Sequence, residues 1–145
     1  MKAITFTLPG GPQGKGRPRY VRRTGRAYTP DKTVAYEELV RQRFLEAAKG
    51  KDFGEGPVCC IITAIFPIPK SFSKKKTEQA IEGTLYPTKK PDWDNIGKII
   101  CDALNGIAYK DDSQVVNAIV VKVYGNCQKV TVQMFTPPDG RRDDG

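Results

Sequence analysis

The 145-residue sequence has no histidine, four cysteines, one tryptophan and no long apolar run. Without histidine and without a C-x-x-C pair, a zinc site is not expected, and the cysteines are predicted to be free, buried thiols. No segment approaches the roughly 20 apolar residues of a membrane-spanning helix. The N-terminus also lacks the pattern of a signal peptide. We therefore expect a cytoplasmic protein.

Acidic residues are outnumbered, because 16 Asp and Glu face 24 Lys and Arg and the formal net charge is +8. Such a surplus usually indicates a polyanionic partner, although basic surfaces also serve solubility. Two clusters carry much of the positive charge. One is the acid-free stretch GKGRPRYVRRTGR, which includes Tyr20 and is followed by Tyr28, and the other is KSFSKKK. Phosphate contact with base stacking would use the first mixture, and a flexible solvated loop is the alternative.

Hydrophobic periodicity predicts an α/β domain with a mixed sheet of about four strands and two main helices on one face. Residues 1–137 are expected to form this single domain and residues 138–145 a disordered tail. Residues 9–30 are predicted to form a long loop or hairpin. The predicted strands are KAITFTL, PVCCIITAIFPIP, VVNAIVVKVYG and QKVTVQMFT. The second should be buried on both faces, and a turn at Gly125-Asn126 should join the last two.

The first main helix is predicted in TPDKTVAYEELVRQRFLEAAKG, with Thr29 or Asp31 as its N-cap and Gly50 after its last turn. Its apolar side is expected to consist of Val34, Leu39, Phe44, Leu45 and Ala48. A weaker helical piece is expected around residues 76–82.

The second main helix has an apolar stripe with helical spacing. The stripe comprises Ile96, Ile99, Ile100, Ala103, Leu104 and Ile107. Asn95, Lys98 and Asp102 lie off this stripe, so they should face away from the core.

Asp92 and Asp94 stand one residue apart at the start of this helix. Capping is the simplest role, because free backbone N–H groups and the helix dipole favour Asp there. One cap, however, needs only one acid. Asp111 and Asp112 form a second pair before a strand, where a turn is the simple interpretation. If the fold gathers these acids, their repulsion requires a cation, and all-oxygen ligands favour Mg²⁺ or Mn²⁺.

Lys98 follows Asp94 by four residues, so both lie on one helix face. Its ammonium would either stabilise a pentavalent phosphate or form a salt bridge with Asp94 or Asp102. Trp93 could stack on a base, but packing is favoured. The P-D…(D/E)-x-K nuclease pattern is not met, because Ile96 stands where an acid should precede the lysine.

The stretch PDWDNIGKIICDALNGIAYKDDSQVV resembles the signature of the RusA-type Holliday junction resolvases. D-x-D-N, a lysine four residues after the second Asp, DAL and DD-x-QV occur in that order. The N-terminal GKGRPR…YTP is similar to that of phage and prophage members. One departure is that Lys89, Lys90 and Pro91 stand where some members carry arginines.

The resemblance implies a RusA-like fold and a homodimeric, Mg²⁺-dependent endonuclease for four-way DNA junctions, with Mn²⁺ as a substitute. It implies Asp92, Asp94 and Asp112 as catalytic metal ligands and Lys98 as the catalytic lysine, with a less defined role for Asp111. The expected DNA contacts are Lys15, Arg17, Arg19, Arg22, Arg23, Lys74, Lys75, Lys76 and Lys90. Two alternatives stay open: a basic DNA-binding module without catalysis, and a nuclease for other branched DNA.

Overall fold

The computed structural model describes residues 2–16, 19–28 and 30–138, with Arg19 described by its backbone alone. The predicted disordered tail, apart from Pro138, lies outside these residues. The elements in chain order are β1 Ala3–Pro9, β2 Arg19–Tyr20, β3 Ala27–Tyr28, α1 Asp31–Ala48, β4 Val58–Pro67, α2 Lys74–Glu82, α3 Trp93–Ala103, a 3₁₀ turn Asp112–Gln114, β5 Val115–Gly125 and β6 Lys129–Phe135.

Four strands form one sheet in the order β1-β6-β4-β5. β6 pairs antiparallel with β1 and β4, whereas β4 and β5 run parallel. The predicted mixed four-stranded sheet is therefore confirmed. The turn at Gly125-Asn126 is present, but β4 lies between the two strands that it joins. A Cβ on Gly125 would lie 2.6 Å from a methyl carbon of Ile65, so only glycine fits this crossing over the end of β4.

The core lies between one face of this sheet and the helices α1 and α3. Alternation in β1 buries Ile4, Phe6 and Leu8 on that face. The Phe6 ring meets Phe44 of α1 edge to face, with centroids 5.9 Å apart. This is the predicted arrangement, with both main helices on the same face of the sheet.

Helix α1 is rotated relative to the prediction. Val34 is 46% exposed and Leu45 is 55% exposed, so these two residues were wrongly assigned to the buried side. The residues that it buries are Thr33, Tyr36, Val40, Phe44 and Ala48. The prediction erred because apolar residues occur on two adjoining stripes, and contact with the sheet selects the one that carries Tyr36. The N-cap is Pro30, which leaves Asp31 as the first helical residue, and Thr29 lies outside the described residues.

The opposite face of the sheet is less well covered. In β4 the residues facing the core are buried, whereas on the other face Cys59 is buried and Ile61, Thr63 and Ile65 are half-buried. Their neighbours in β5, Ile119 and Val121, are 48% and 37% exposed. The prediction that β4 is buried on both faces is therefore correct for one face only.

Helix α3 confirms the predicted stripe. Its buried residues are Ile96, Ile99, Ile100 and Ala103. Leu104 is also buried just beyond the helix, whereas Ile107 is half-buried. The weaker predicted helix is α2, which begins two residues earlier than expected, at Lys74. Because the apolar stripe of α3 is fixed against the core, its polar face must point outward.

The long segment before α1 contains a short antiparallel hairpin, in which Arg19 pairs with Tyr28 and Tyr20 with Ala27. The cysteines are free, as expected, but they are not all buried: Cys59 and Cys60 are, Cys101 is half-buried and Cys127 is exposed. No helix within the described residues is both long and apolar enough to cross a membrane.

Candidate active site

The start of α3 presents two carboxylates to solvent. Asp92 occupies the N-cap position, with φ −69° and ψ 151°, but its side chain makes no capping hydrogen bond. Asp94 lies in the first turn, and both acids are exposed. Within the described ranges neither forms an ion pair. The capping interpretation therefore lacks the side-chain bond that would support it, and both carboxylates remain available to a ligand.

One face of α3 carries Asp94, Lys98 and Asp102 at successive intervals of four residues. The Lys98 ammonium lies 3.7 Å from the Asp102 carboxylate, and the lysine side chain is 60% exposed. Of the two acids considered as its partner, the structure selects Asp102. Because Lys98 is largely exposed and the pair is long, this ion pair is weak, so Lys98 can turn toward a phosphate at little cost.

Asp112 is positioned by a hydrogen-bonded turn that follows α3. Its backbone N–H donates to the Asn105 side-chain oxygen at 2.8 Å. The Gln114 side-chain oxygen accepts from the N–H groups of residues 110 and 111, at 2.8 and 3.0 Å. The same amide donates to the carbonyls of Gly54 and Gly56, both at 2.9 Å. These bonds hold the start of β5 beside the end of α3.

The two acids of this turn have different electrostatic environments. Partial burial raises the pKa of Asp112, helped by a hydrogen bond and charge repulsion from Asp102, while Lys98 acts in the opposite direction. A hydrogen bond from Ser113 lowers the pKa of Asp111. Asp111 therefore has the turn role expected of its sequence, whereas Asp112 faces the polar side of α3.

Asp102 is the residue of this face for which no functional role was predicted. It was placed only as a possible partner of Lys98. Its spacing of four residues from Lys98 indicated that it lies on the same helix face as this lysine, but its proximity to Asp112 depends on the tertiary fold. Asp94, Lys98 and Asp102 thus form a line of alternating charge along α3, and Asp112 lies next to Asp102 at one end of this line.

The predicted metal ligands do not form a closed cage. Asp102, which neighbours Asp112, lies eight residues after Asp94, and that separation is about 12 Å of helix rise. Among the described residues, no three His, Cys, Asp or Glu side chains lie close enough together to hold an ion. The donor type nevertheless suits Mg²⁺, which takes few protein carboxylates and keeps several waters. The ligand set remains a prediction.

A groove of about 700 Å³ opens beside Asp92. One wall is the segment from Pro12 to Gly16, which belongs to a stretch that we call the arm, residues 10–16. The start of α1 and the turn before α3 form the other walls. The residues that they contribute are Pro30, Lys32, Thr33, Lys90, Pro91, Asp92 and Asn95. Two of the candidate DNA contacts, Lys15 and Lys90, therefore lie along the same groove as a candidate metal ligand.

The other candidate DNA contacts lie on separate elements of the chain. Exposed lysines 74–76 lie in the first turn of α2, and exposed Arg22 and Arg23 lie in the β2–β3 turn. Arg17 lies outside the described residues, as does the side chain of Arg19. Trp93 is 64% exposed, so the packing role predicted for it is wrong.

Exposed carboxylates and a lysine on one helix face, within a strongly basic chain, are the features of a metal-assisted nuclease. The chain matches the family described as Endodeoxyribonuclease RusA over residues 9–134, and it belongs to this family. It is also similar to the Uncharacterized protein YqaN of Bacillus subtilis (strain 168). The two are 40% identical over 138 residues, which cover 92% of this chain and 96% of that protein.

The family match includes the acids and the lysine of α3, together with Asp112. The resemblance drawn from the sequence motif is therefore confirmed. Family membership implies an endonuclease that acts on branched DNA and resolves Holliday junctions, and such resolvases generally depend on divalent metal ions.

Proposed function

We propose that this protein is a Mg²⁺-dependent endonuclease that resolves four-way DNA junctions by paired nicks during recombination and repair in the cytoplasm. The observation that carries the proposal is the exposed face of α3, which carries Asp94 and Lys98. Asp92, at the N-cap position beside it, makes no side-chain capping hydrogen bond. A purely structural helix start would use such an acid as a cap.

Asp92 and Asp94 would hold the ion at the start of α3, with Asp112 as the third predicted carboxylate, and the bound ion would supply Lewis acidity and a hydroxide nucleophile at neutral pH. Lys98 would face the phosphoryl oxygens, where its charge stabilises the pentavalent transition state. A water oxygen forms the new bond to phosphorus, and the P–O3′ bond breaks. The products are a 5′-phosphate and a 3′-hydroxyl, which takes up the proton.

Basic residues around this centre would bind the DNA backbone. Those of the first cluster and the hairpin are Arg17, Arg19, Arg22 and Arg23, and those elsewhere are Lys74, Lys75, Lys76 and Lys90. Tyr20 is 73% exposed beside the hairpin arginines, so stacking on an unpaired base can accompany the phosphate contacts. This distribution suits a branched substrate, whose arms diverge from one point.

We also propose a homodimer, because paired nicks require two sites and the described residues contain one acidic face. The half-exposed sheet face with Ile61, Ile65, Ile119 and Val121 provides apolar surface for association. Sedimentation would report the mass, and a supercoiled cruciform plasmid would report the coupling of the nicks. Linear product within one binding event is expected. A monomer at micromolar concentration that makes single nicks would contradict the dimer.

The test of the function is cleavage of a labelled four-way junction with and without Mg²⁺, alongside Asp94→Asn. The wild-type protein should cut only with Mg²⁺, and the variant should bind without cutting. Binding without cleavage by the wild type would favour the non-catalytic module. Faster cleavage of flaps than of junctions would favour a nuclease for other branches.

A further inference from the structure

Lys15 joins three parts of the molecule that are far apart in sequence. Its ammonium lies 3.0 Å from the Glu37 carboxylate on α1 and 3.5 Å from the Asp102 carboxylate on α3. The lysine side chain is 22% exposed, Glu37 is 13% exposed and Asp102 is 22% exposed. By contrast, the Lys110–Glu55 pair is 76% and 79% exposed, so the Lys15 pairs are much better shielded from solvent than this surface pair.

The backbone of the arm is docked at the same place. The Lys15 N–H donates to the Asn95 carbonyl in the first turn of α3, at 3.0 Å. A Cβ on Gly14 would lie 3.1 Å from the Cβ atoms of both Asn95 and Pro91. A Cβ on Gly16 would lie 2.6 Å from the buried Thr33 hydroxyl of α1. Because Gly14 and Gly16 have no side chains, the arm can approach α1 and α3 closely, and the Lys15 ion pairs stabilise this contact.

Asp102 links the Lys15 ion pairs to the exposed face of α3 that carries Lys98. Asp102 is shared between Lys15 at 3.5 Å and Lys98 at 3.7 Å. If Lys15 were neutral, Glu37 and Asp102 would both lose their shielded partner, and leaving a partly buried charge uncompensated is costly. Asp102 would then attract Lys98 more strongly and hold its ammonium away from a bound phosphate.

We infer that Lys15 is a positioning residue rather than a phosphate contact: it fastens the arm to α1 and α3 and balances Asp102, leaving Lys98 free for DNA. The inference rests on the proposed function for its effect on cleavage, but its effect on the arm is independent of any activity. It also makes the arm a fixed wall of the groove beside Asp92.

Lys15→Met separates positioning from phosphate binding. Single-turnover cleavage at saturating protein should slow by on the order of tenfold to a hundredfold, the range expected when a catalytic group is misplaced. The salt dependence of junction binding should stay unchanged, whereas the loss of one phosphate contact lowers the slope by about 0.9. The control is Arg43→Met, which removes an equal charge from an exposed residue without an ion pair in the described ranges. It should change neither quantity.

Two further variants test the partners. Lys15→Arg, which keeps the charge, should retain more of the cleavage rate than Lys15→Met. Adding Asp102→Asn to Lys15→Met should restore about threefold or more of the lost rate, since the uncompensated carboxylate is removed. A double variant slower than Lys15→Met alone would contradict the role assigned to Asp102.

Hydrogen exchange of the backbone amide at residue 15 tests the docking without DNA. This amide should be protected in the wild type and exchange at least tenfold faster in Lys15→Met and in Glu37→Gln, which keeps the lysine. If the wild type never cleaves, the proposed function fails but this result still stands. Unchanged exchange in both variants, or a salt slope lowered by about 0.9 with an unchanged saturating rate, would overturn the inference.

Discussion

The acidic and basic regions of this protein are built in different ways. The acidic face lies on α3, whose opposite side is completely buried, and on a turn fixed by the side chains of Asn105 and Gln114. The basic groups lie on a hairpin of two-residue strands and on a nine-residue helix, with their described side chains exposed. Chemistry at phosphorus needs fixed geometry, whereas attraction of a polyanion needs only charge at the surface.

The largest effect should come from the acidic face. Asp94→Asn keeps the side-chain volume but removes a metal-binding charge, so we expect Mg²⁺-dependent cleavage to be abolished. Junction affinity should be kept or improved, because a carboxylate that repels phosphate is lost. A labelled-junction assay measures both quantities.

The same assay applies to Asp92→Asn and Asp112→Asn. Glu46→Gln, which removes a charge of the same sign from an exposed residue near the C-terminal end of α1, is the matched control and should cut at the wild-type rate. Near wild-type cleavage by any of the three test variants would remove that residue from the ligand set.

Lys98→Ala should have the next largest effect, because a positive charge on the acidic face is expected to act in the transition state. A charge-assisted contact of this kind is worth on the order of 2–4 kcal/mol, about thirtyfold to several-hundredfold in rate. Single-turnover cleavage at saturating protein measures it, with Lys51→Ala as a control for an exposed lysine. Equal rates for Lys98→Ala and the wild type would exclude this lysine from the mechanism.

The basic region should respond differently. Replacing Lys74, Lys75 and Lys76 by Gln should weaken junction binding and reduce the slope of log K against log salt by up to about 2.7. The saturating cleavage rate should remain unchanged. A triple replacement of Arg43, Lys49 and Lys51 by Gln removes the same charge elsewhere. Equal losses of affinity in both triple variants would show that net charge, rather than the α2 site, attracts the DNA.

The parts of the acidic face that were predictable are local in sequence. A 3.6-residue apolar period fixes which side of α3 is buried, and it therefore fixes the outward direction of Lys98 and Asp102. Through its spacing, the family motif indicated Asp92, Asp94 and Asp112 as the predicted metal ligands. These inferences needed no knowledge of which elements become neighbours.

The remaining features depend on long-range contacts. Nothing local to β5 and β6 indicates that β4 separates them, since the intervening turn resembles that of a hairpin. The rotation of α1 depends on contact with the sheet, because its sequence offers two apolar stripes. Lys15 looked like a phosphate ligand within a basic cluster, yet its partners Glu37 and Asp102 are distant in sequence and become neighbours only through folding.

The smallest effect distinguishes the two acids of the 111–114 turn within the acidic region. The pKa of Asp112 is raised in the folded protein, mainly by burial and then by Asp102. The stability from this group is therefore complete below its ordinary pKa of 3.8 and is lost as the pH rises through the raised folded-state pKa. Asp112→Asn should thus increase the melting temperature of the metal-free protein at pH 7, by less than about 4 °C.

Asp111, whose pKa is lowered, contributes to stability at pH 7 with the opposite sign, so Asp111→Asn should decrease the melting temperature at pH 7. The Asp112 difference should disappear below pH 3.8, whereas the Asp111 difference should disappear only as the pH falls through its lowered folded-state pKa. Mg²⁺ should stabilise the wild type more than Asp112→Asn if Asp112 binds the ion. Thermal unfolding in EDTA and in Mg²⁺ measures these melting temperatures. A lower melting temperature for Asp112→Asn than for the wild type in EDTA at pH 7 would show that burial and Asp102 do not destabilise the ionised Asp112 carboxylate.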